Sequence, residues 1–177
     1  MIAVDLDDTI CGYVTACIER YGWPVTWSWD LRQMWPTVDW GAHFDGLAHQ
    51  AFILGLRPLH GAQEGCRLLE RNDKLLYLTA STELSKNIRQ LWLKIHDFPY
   101  APIICTDGFE NKAAWLRDNA GEVKALIEDL PLVLDAANDA GIYTIVFNAP
   151  WNYGVRNGKR VYKWSEVVNL FRMPGMP

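Results

Sequence analysis

Three carboxylates and a hydroxyl, Asp5, Asp7, Asp8 and Thr9, crowd behind the apolar run Ile2–Val4. Like charges packed this closely cost folding free energy unless something positive sits among them. Three more polar clusters follow short apolar runs: Thr79-Ala80-Ser81, Asn111-Lys112 after a loop, and Glu128-Asp129. Carboxylates at two such points, a hydroxyl at another and a lysine nearby suit a phosphate bridged to a hard divalent cation. Mg²⁺ takes oxygen ligands and favours one or two carboxylates plus substrate phosphate, and Asp5 and Asp129 can supply the carboxylates. The cation would offset the repulsion and leave a carboxylate oxygen of Asp5 free to attack phosphorus. An aspartyl-phosphate then divides one hard displacement into two. Asp7 is placed to protonate the leaving oxygen and afterwards to deprotonate the attacking water. Thr79 and Lys112 would hold the remaining phosphoryl oxygens as charge shifts in the transition state.

Such residues need a frame that brings four distant points together. The strand candidates are Ile2–Val4, Leu75–Leu78, Ile103–Cys105, Ala125–Ile127 and Ile142–Phe147. Between them, Leu84, Ile88, Leu91, Trp92 and Ile95 repeat at helical spacing until Asp97-Phe98-Pro99 stops the helix. Ala113–Asn119 reads as a short helix, and Pro131–Ala140 as another with Pro131 in its first turn and Gly141 past its end. Trp164, Val167, Val168 and Phe171 stripe a terminal helix. Strand–helix alternation of this kind predicts an α/β fold, a Rossmann-like parallel sheet of about five strands flanked by helices. Ligands of such sheets bind beyond the carboxyl ends of the strands, where all four clusters fall.

One segment breaks the alternation. Residues 13–59 show helical spacings (Val14, Cys17, Ile18, Tyr21) but no credible strand, and Trp23, Trp27, Trp29, Trp35 and Trp40 crowd there. The expected organisation is a core of residues 1–12 and 60–177 with a small, mostly helical insert over 13–59. The final Met-Pro-Gly-Met-Pro reads as a disordered tail.

The chain has 177 residues, half of them apolar, and a net charge of -4. That length suits one domain with a sizeable core, and that charge gives no broad basic surface for duplex nucleic acid. Nothing reaches the length of a membrane span and no secretory signal opens the sequence, so the expectation is a cytoplasmic protein. Cys11, Cys17, Cys66 and Cys105 are scattered without CxxC spacing and read as reduced thiols. Oligomeric state is not legible.

The motifs "DLDDT" after a strand, "LTAS", Lys112 opening a helix and "IED" after another strand resemble the four motifs of the haloacid dehalogenase (HAD) superfamily of phosphotransferases. Within it, "RPLHGAQEGCRLLE" and "YTIVFNAPWN" are similar to the 5'(3')-deoxyribonucleotidase-like family. The resemblance implies a Mg²⁺-dependent phosphohydrolase of nucleoside or deoxynucleoside monophosphates. It implies Asp5 as nucleophile and metal ligand, Asp7 as acid/base whose carbonyl meets the metal, and Asp129 as the other metal carboxylate, with Glu128 behind it. Thr79, Ser81 and Lys112 would hold phosphate, and the insert would form a cap whose aromatics, Phe52 first and Trp35 second, meet the base or sugar. Asp8 stands where many nucleotidases of the family carry Gly, and Ala80-Ser81 replaces their Ser-Pro. Lys112 lies farther upstream of Asp129 than in close relatives, which leaves Lys124 as an alternative for the lysine role.

Plainer readings stand beside these. Asp8 can cap or orient the loop, and the insert's aromatics can be its own core. The alternative substrate is another small phosphorylated metabolite such as a sugar phosphate. Non-enzyme alternatives are a phospho-acceptor signalling domain or a domain that only binds nucleotide. Against the first, its acceptor would follow a middle strand of the sequence and no insert would follow the first.

Overall fold

The computed structural model describes residues 1–44 and 46–173; the greater part of the expected tail, 174–177, lies outside the described residues. The chain enters directly into β1 (Ile2–Val4), then runs through α1 (Tyr13–Tyr21), α2 (Leu31–Met34), α3 (Trp40–His43) and α4 (Gly46–Leu54). It continues as α5 (Ala62–Asn72), β2 (Leu75–Thr79), α6 (Lys86–Ile95), β3 (Ile103–Cys105), α7 (Phe109–Asp118) and β4 (Ala125–Glu128). The last elements are α8 (Pro131–Asp139), β5 (Tyr143–Phe147), β6 (Lys159–Val161) and α9 (Trp164–Arg172).

Among the described residues the strands form a six-stranded, all-parallel sheet in the order β3-β2-β1-β4-β5-β6. The five strands expected from sequence are all present, and β6 adds an edge. Its Lys159-Arg160-Val161 buries only Val161, so no apolar run announced it. β1 and β4 are central and buried throughout, because helices cover both faces of a parallel sheet. One face packs Ile2, Val4, Tyr77, Ile127 and Ile145 against α5, α6 and α9, and the other packs Ala3, Leu76, Leu78 and Leu126 against α7 and α8. Pro131 opens α8, where its missing N–H has no helical partner to lose, and Gly141 (φ 77°) ends its exit turn.

The helix after β2 corrects the sequence expectation. Of the predicted stripe, Trp92 is buried and Ile88 packs against the core, but Leu84, Leu91 and Ile95 point outward and Arg89 and Leu93 take the inner positions. Two specific bonds turn α6 this way: the Trp92 indole donates to the Leu56 carbonyl at 2.9 Å, and Arg89 reaches Asp7. Among the described residues no helix is long and apolar enough to cross a membrane.

Candidate active site

Strand geometry places the first carboxylate. Asp5 N–H donates to the Ile127 carbonyl at 3.0 Å, carrying the β1–β4 ladder one residue past β1, so the Asp5 side chain stands at the carboxyl edge of the sheet. The chain then turns sharply, with Ile10 and Cys11 N–H both donating to the Leu6 carbonyl at 2.9 and 3.1 Å. Asp8 takes φ 57°, the left-handed region that favours Gly and tolerates Asp, and its carboxylate accepts from Val14 N–H at 3.0 Å in the first turn of α1. Asp8 thus orients the loop and caps the helix. From behind, the buried Trp164 indole donates to the Thr9 carbonyl at 2.7 Å.

The loop after β2 is stitched to the start of α7. Thr106, Asp107 and Gly108 N–H donate to the carbonyls of Thr79, Ser81 and Ala80 at 3.0, 3.1 and 2.8 Å. Gly108 adopts φ 120°, which a side chain would resist. This stitching points Lys112, in the first turn of α7, into the core of the site, where it is 2% exposed. Its Nζ pairs with Asp5 and, at 2.6 Å, with Glu128 Oε2. Lys124, the sequence alternative, sits at the opposite end of the sheet, paired with Asp73 at 2.8 Å. Thr79 is buried, with its hydroxyl 3.0 Å from that of Ser81.

Asp5, Glu128 and Asp129 are all buried and each offers an oxygen within 4.8 Å of the others. Glu128 Oε1 accepts from the N–H groups of Asp129 and Leu130, both at 3.0 Å, while Oε2 faces Lys112. Glu128 therefore anchors Lys112 and the turn into α8, and Asp5 and Asp129 keep the freer oxygens. Burial, then the Glu128 charge, pushes the Asp5 carboxyl up to about 8 even though Lys112 pulls the other way. Burial, Glu128 and Asp5 likewise raise Asp129 well above the carboxylate range. Burial works against the charge on Lys112, but Asp5 and Glu128 outweigh it and keep the ammonium protonated. One lysine cannot offset three buried carboxylates, so Asp5 and Asp129 hold protons until a further cation replaces them, and all the donors are oxygens; the cluster fits a hard divalent cation.

Asp7 carries a partner that the sequence did not reveal. Arg89, 3% exposed, grips both carboxylate oxygens with Nη1 and Nη2, each at 2.6 Å. A planar guanidinium matches a carboxylate in this two-pronged way and fixes its orientation. In the sequence Arg89 sits between Ile88 and Gln90 as one more charged helix position, with no signal of its 82-residue reach.

Above the carboxylates opens a cleft of about 300 Å³. It is lined by Asp5, Asp7, Thr79, Ser81, Lys112 and Asp129, and also by the apolar and aromatic side chains Tyr13, Leu31, Met34, Trp29, Phe44, Phe109 and Trp151. The two cap aromatics favoured from sequence lie elsewhere. Trp35 is buried, its indole N–H on the Gly22 carbonyl at 2.9 Å and its ring tilted against Trp40. Phe52 packs edge-on against Tyr13 and His43. Both belong to the small core that holds α1, α3 and α4 together. Trp29 meets Phe109 edge to face, with ring centroids 5.6 Å apart, and closes the cleft from the side.

Comparison with known proteins gives the frame a name. No protein-family model matches the chain, and no curated protein matches it. Solved structures do. The candidate HAD-hydrolase YfnB from Bacillus subtilis, bound to magnesium, aligns with TM-score 0.65 at 13% identity over 97% of this chain and 98% of its own. The fold is that of the HAD-like hydrolases. A predicted phosphoglycolate phosphatase from Haemophilus somnus aligns with TM-score 0.59 at 14% identity, covering 96% of each chain. A candidate β-phosphoglucomutase from Thermotoga maritima aligns with TM-score 0.57 at 19% identity, covering 96% of this chain and 97% of its own. At such identities the likeness is one of HAD-like architecture. The nucleotidase resemblance noted from sequence has no counterpart among these three neighbours.

Proposed function

We propose that this chain is a HAD-type phosphomonoester hydrolase that uses Mg²⁺ and acts on a small phosphorylated metabolite through an aspartyl-phosphate on Asp5. The observation that carries the reading is the buried cluster of Asp5, Lys112, Glu128 and Asp129 at the carboxyl edge of the sheet, with Asp7 two residues from the nucleophile. Asp5 and Asp129, with the Asp7 carbonyl, would hold the cation; when bound, it screens the carboxylates and draws charge from the phosphoryl oxygens. An oxygen of Asp5 attacks phosphorus, and the bond from phosphorus to the leaving oxygen breaks. Asp7, with one oxygen turned away from Arg89, gives the leaving oxygen a proton, then takes one from the water that attacks the aspartyl-phosphate and restores Asp5. Thr79, Ser81 and Lys112 hold the phosphoryl group, Lys112 while tied to Glu128. We further propose that residues 13–59 act as a cap that selects the substrate.

For the substrate, the activities in the neighbours' names favour a sugar phosphate or a phosphorylated small acid over a nucleotide. The nucleotide reading also loses the support of Trp35 and Phe52, which lie in the cap's core. It survives as a second reading on one observation: the aromatic side chains Trp29, Phe44 and Phe109 line the cleft. A phospho-acceptor domain fits poorly, because the candidate acceptor follows the first strand and a helical segment comes next in the chain. Phosphate release from a panel of sugar, hydroxy-acid and nucleoside monophosphates, with Mg²⁺ and with excess chelator, tests the reading. Release from none of them, or full activity in chelator, would remove it.

A further inference from the structure

The loop after β5 has no part in the chemistry assigned so far, yet it grips the metal carboxylate residue at two points. The Trp151 indole N–H donates to Asp129 Oδ2 at 2.8 Å. The adjacent Asn152, fully buried, donates from Nδ2 to the Asp129 carbonyl at 2.7 Å and to the Phe147 carbonyl at 2.8 Å. Its Oδ1 accepts from Ala149 N–H at 3.1 Å and from Arg160 Nη1 at 2.7 Å. Arg160, reaching in from the edge strand β6, also donates to Asn148 Oδ1 at 3.0 Å and to the carbonyls of Asn152 and Val155 at 2.9 and 3.0 Å. The ring of Trp151 is thus carried on a loop whose own backbone is fixed.

The terminal torsion of an aspartate is soft, so its carboxylate swings unless an oxygen is held. Asp129 Oδ1 has only the Thr9 hydroxyl at 3.4 Å, a weak contact, whereas Oδ2 has the indole. The donor type matters as well. An indole N–H is a neutral donor that cannot accept, so it fixes the oxygen without cancelling its charge. A lysine or arginine there would neutralise the carboxylate and repel a cation.

We infer that Trp151 is a positioning residue for the metal site: its indole N–H holds Asp129 in the orientation in which it binds a divalent cation. The inference rests on the Mg²⁺ reading above. Trp151→Phe keeps the ring and removes the donor. Mn²⁺ binding to the full chain without substrate, followed by electron paramagnetic resonance of the free ion, gives a readout independent of turnover. Loss of a group that orients a metal ligand typically weakens metal binding by about 10–100-fold, and that loss is expected here with an unchanged circular dichroism spectrum. Equal Mn²⁺ affinity in wild type and Trp151→Phe would overturn the inference and leave the metal reading intact. Failure of the wild type to bind Mn²⁺ would remove the metal reading itself. Should Trp151→Phe not fold, indole ¹H–¹⁵N spectra of the wild type decide. The Trp151 resonance is expected to shift as Mg²⁺ is added, and an unmoved resonance under saturating Mg²⁺ would overturn the inference.

Discussion

Replacing Lys112 with Met tests the electrostatics of the site in a protein that need not turn over. The lysine is 2% exposed and is the cation paired with both Asp5 and Glu128. Met fills similar space and leaves buried carboxylates unanswered. Removing one partner of a buried ion pair typically costs about 3–5 kcal/mol. For a chain of this size each kcal/mol lowers Tm by about 2–4 °C, so the metal-free variant should melt about 6–20 °C below wild type at pH 8.5. The pH dependence has a definite sign. Burial and Glu128 already push the folded Asp5 carboxyl up to about 8, against about 4 in an unfolded chain. Between those values the folded state binds the extra proton, so stability rises as pH falls. Without Lys112 the carboxyl is pushed higher still. The deficit relative to wild type should therefore be greatest above pH 8 and shrink toward pH 5, and Mg²⁺ should restore part of it. The assay is thermal denaturation of both proteins in chelator and in Mg²⁺, from pH 5 to 9. Equal melting at pH 8.5 in chelator, or a deficit that widens on acidification, would refute the argument. Lys124→Met is the control: an exposed pair with Asp73 is worth at most about 1 kcal/mol, and phosphatase activity should be untouched.

Asp5→Asn should abolish turnover with the fold retained, and Asp7→Asn should lower kcat by about 10²–10⁴-fold, both read by phosphate release and circular dichroism. Arg89→Gln frees the Asp7 carboxylate from its two-pronged hold, so kcat should fall by about 10–100-fold while KM changes little; an unchanged kcat would deny Arg89 a positioning role. Gly65→Ala would set a methyl carbon 2.2 Å from Trp164 Cε3 and push the ring whose N–H holds the loop after β1. Overpacking of that kind costs about 1–3 kcal/mol, so Tm should drop by about 2–12 °C, and unchanged melting would show that Trp164 has room to yield.

The outline of the candidate site was legible in the sequence because it is written in short range. A run such as Ile2–Val4 followed at once by Asp5 makes a strand tip with a carboxylate whatever surrounds it, and the same holds for Thr79 and Glu128-Asp129. Strand–helix alternation then dictates a parallel sheet, and a parallel sheet brings its carboxyl ends to one edge. Tertiary structure decided which faces those elements turn. Of the predicted stripe Leu84, Ile88, Leu91, Trp92 and Ile95, only Trp92 is buried and Ile88 packs on the core, while Arg89 turns inward beside them, because an ion pair and an indole bond reward that rotation. Among five crowded tryptophans, composition cannot say that Trp35 turns into the small helical core and Trp29 toward the cleft. The bonds from Arg89 to Asp7, Lys112 to Asp5 and Trp151 to Asp129 span 82, 107 and 22 residues. Spacing along the chain carries no trace of such partners; only the folded chain, by closing those loops, brings them within reach.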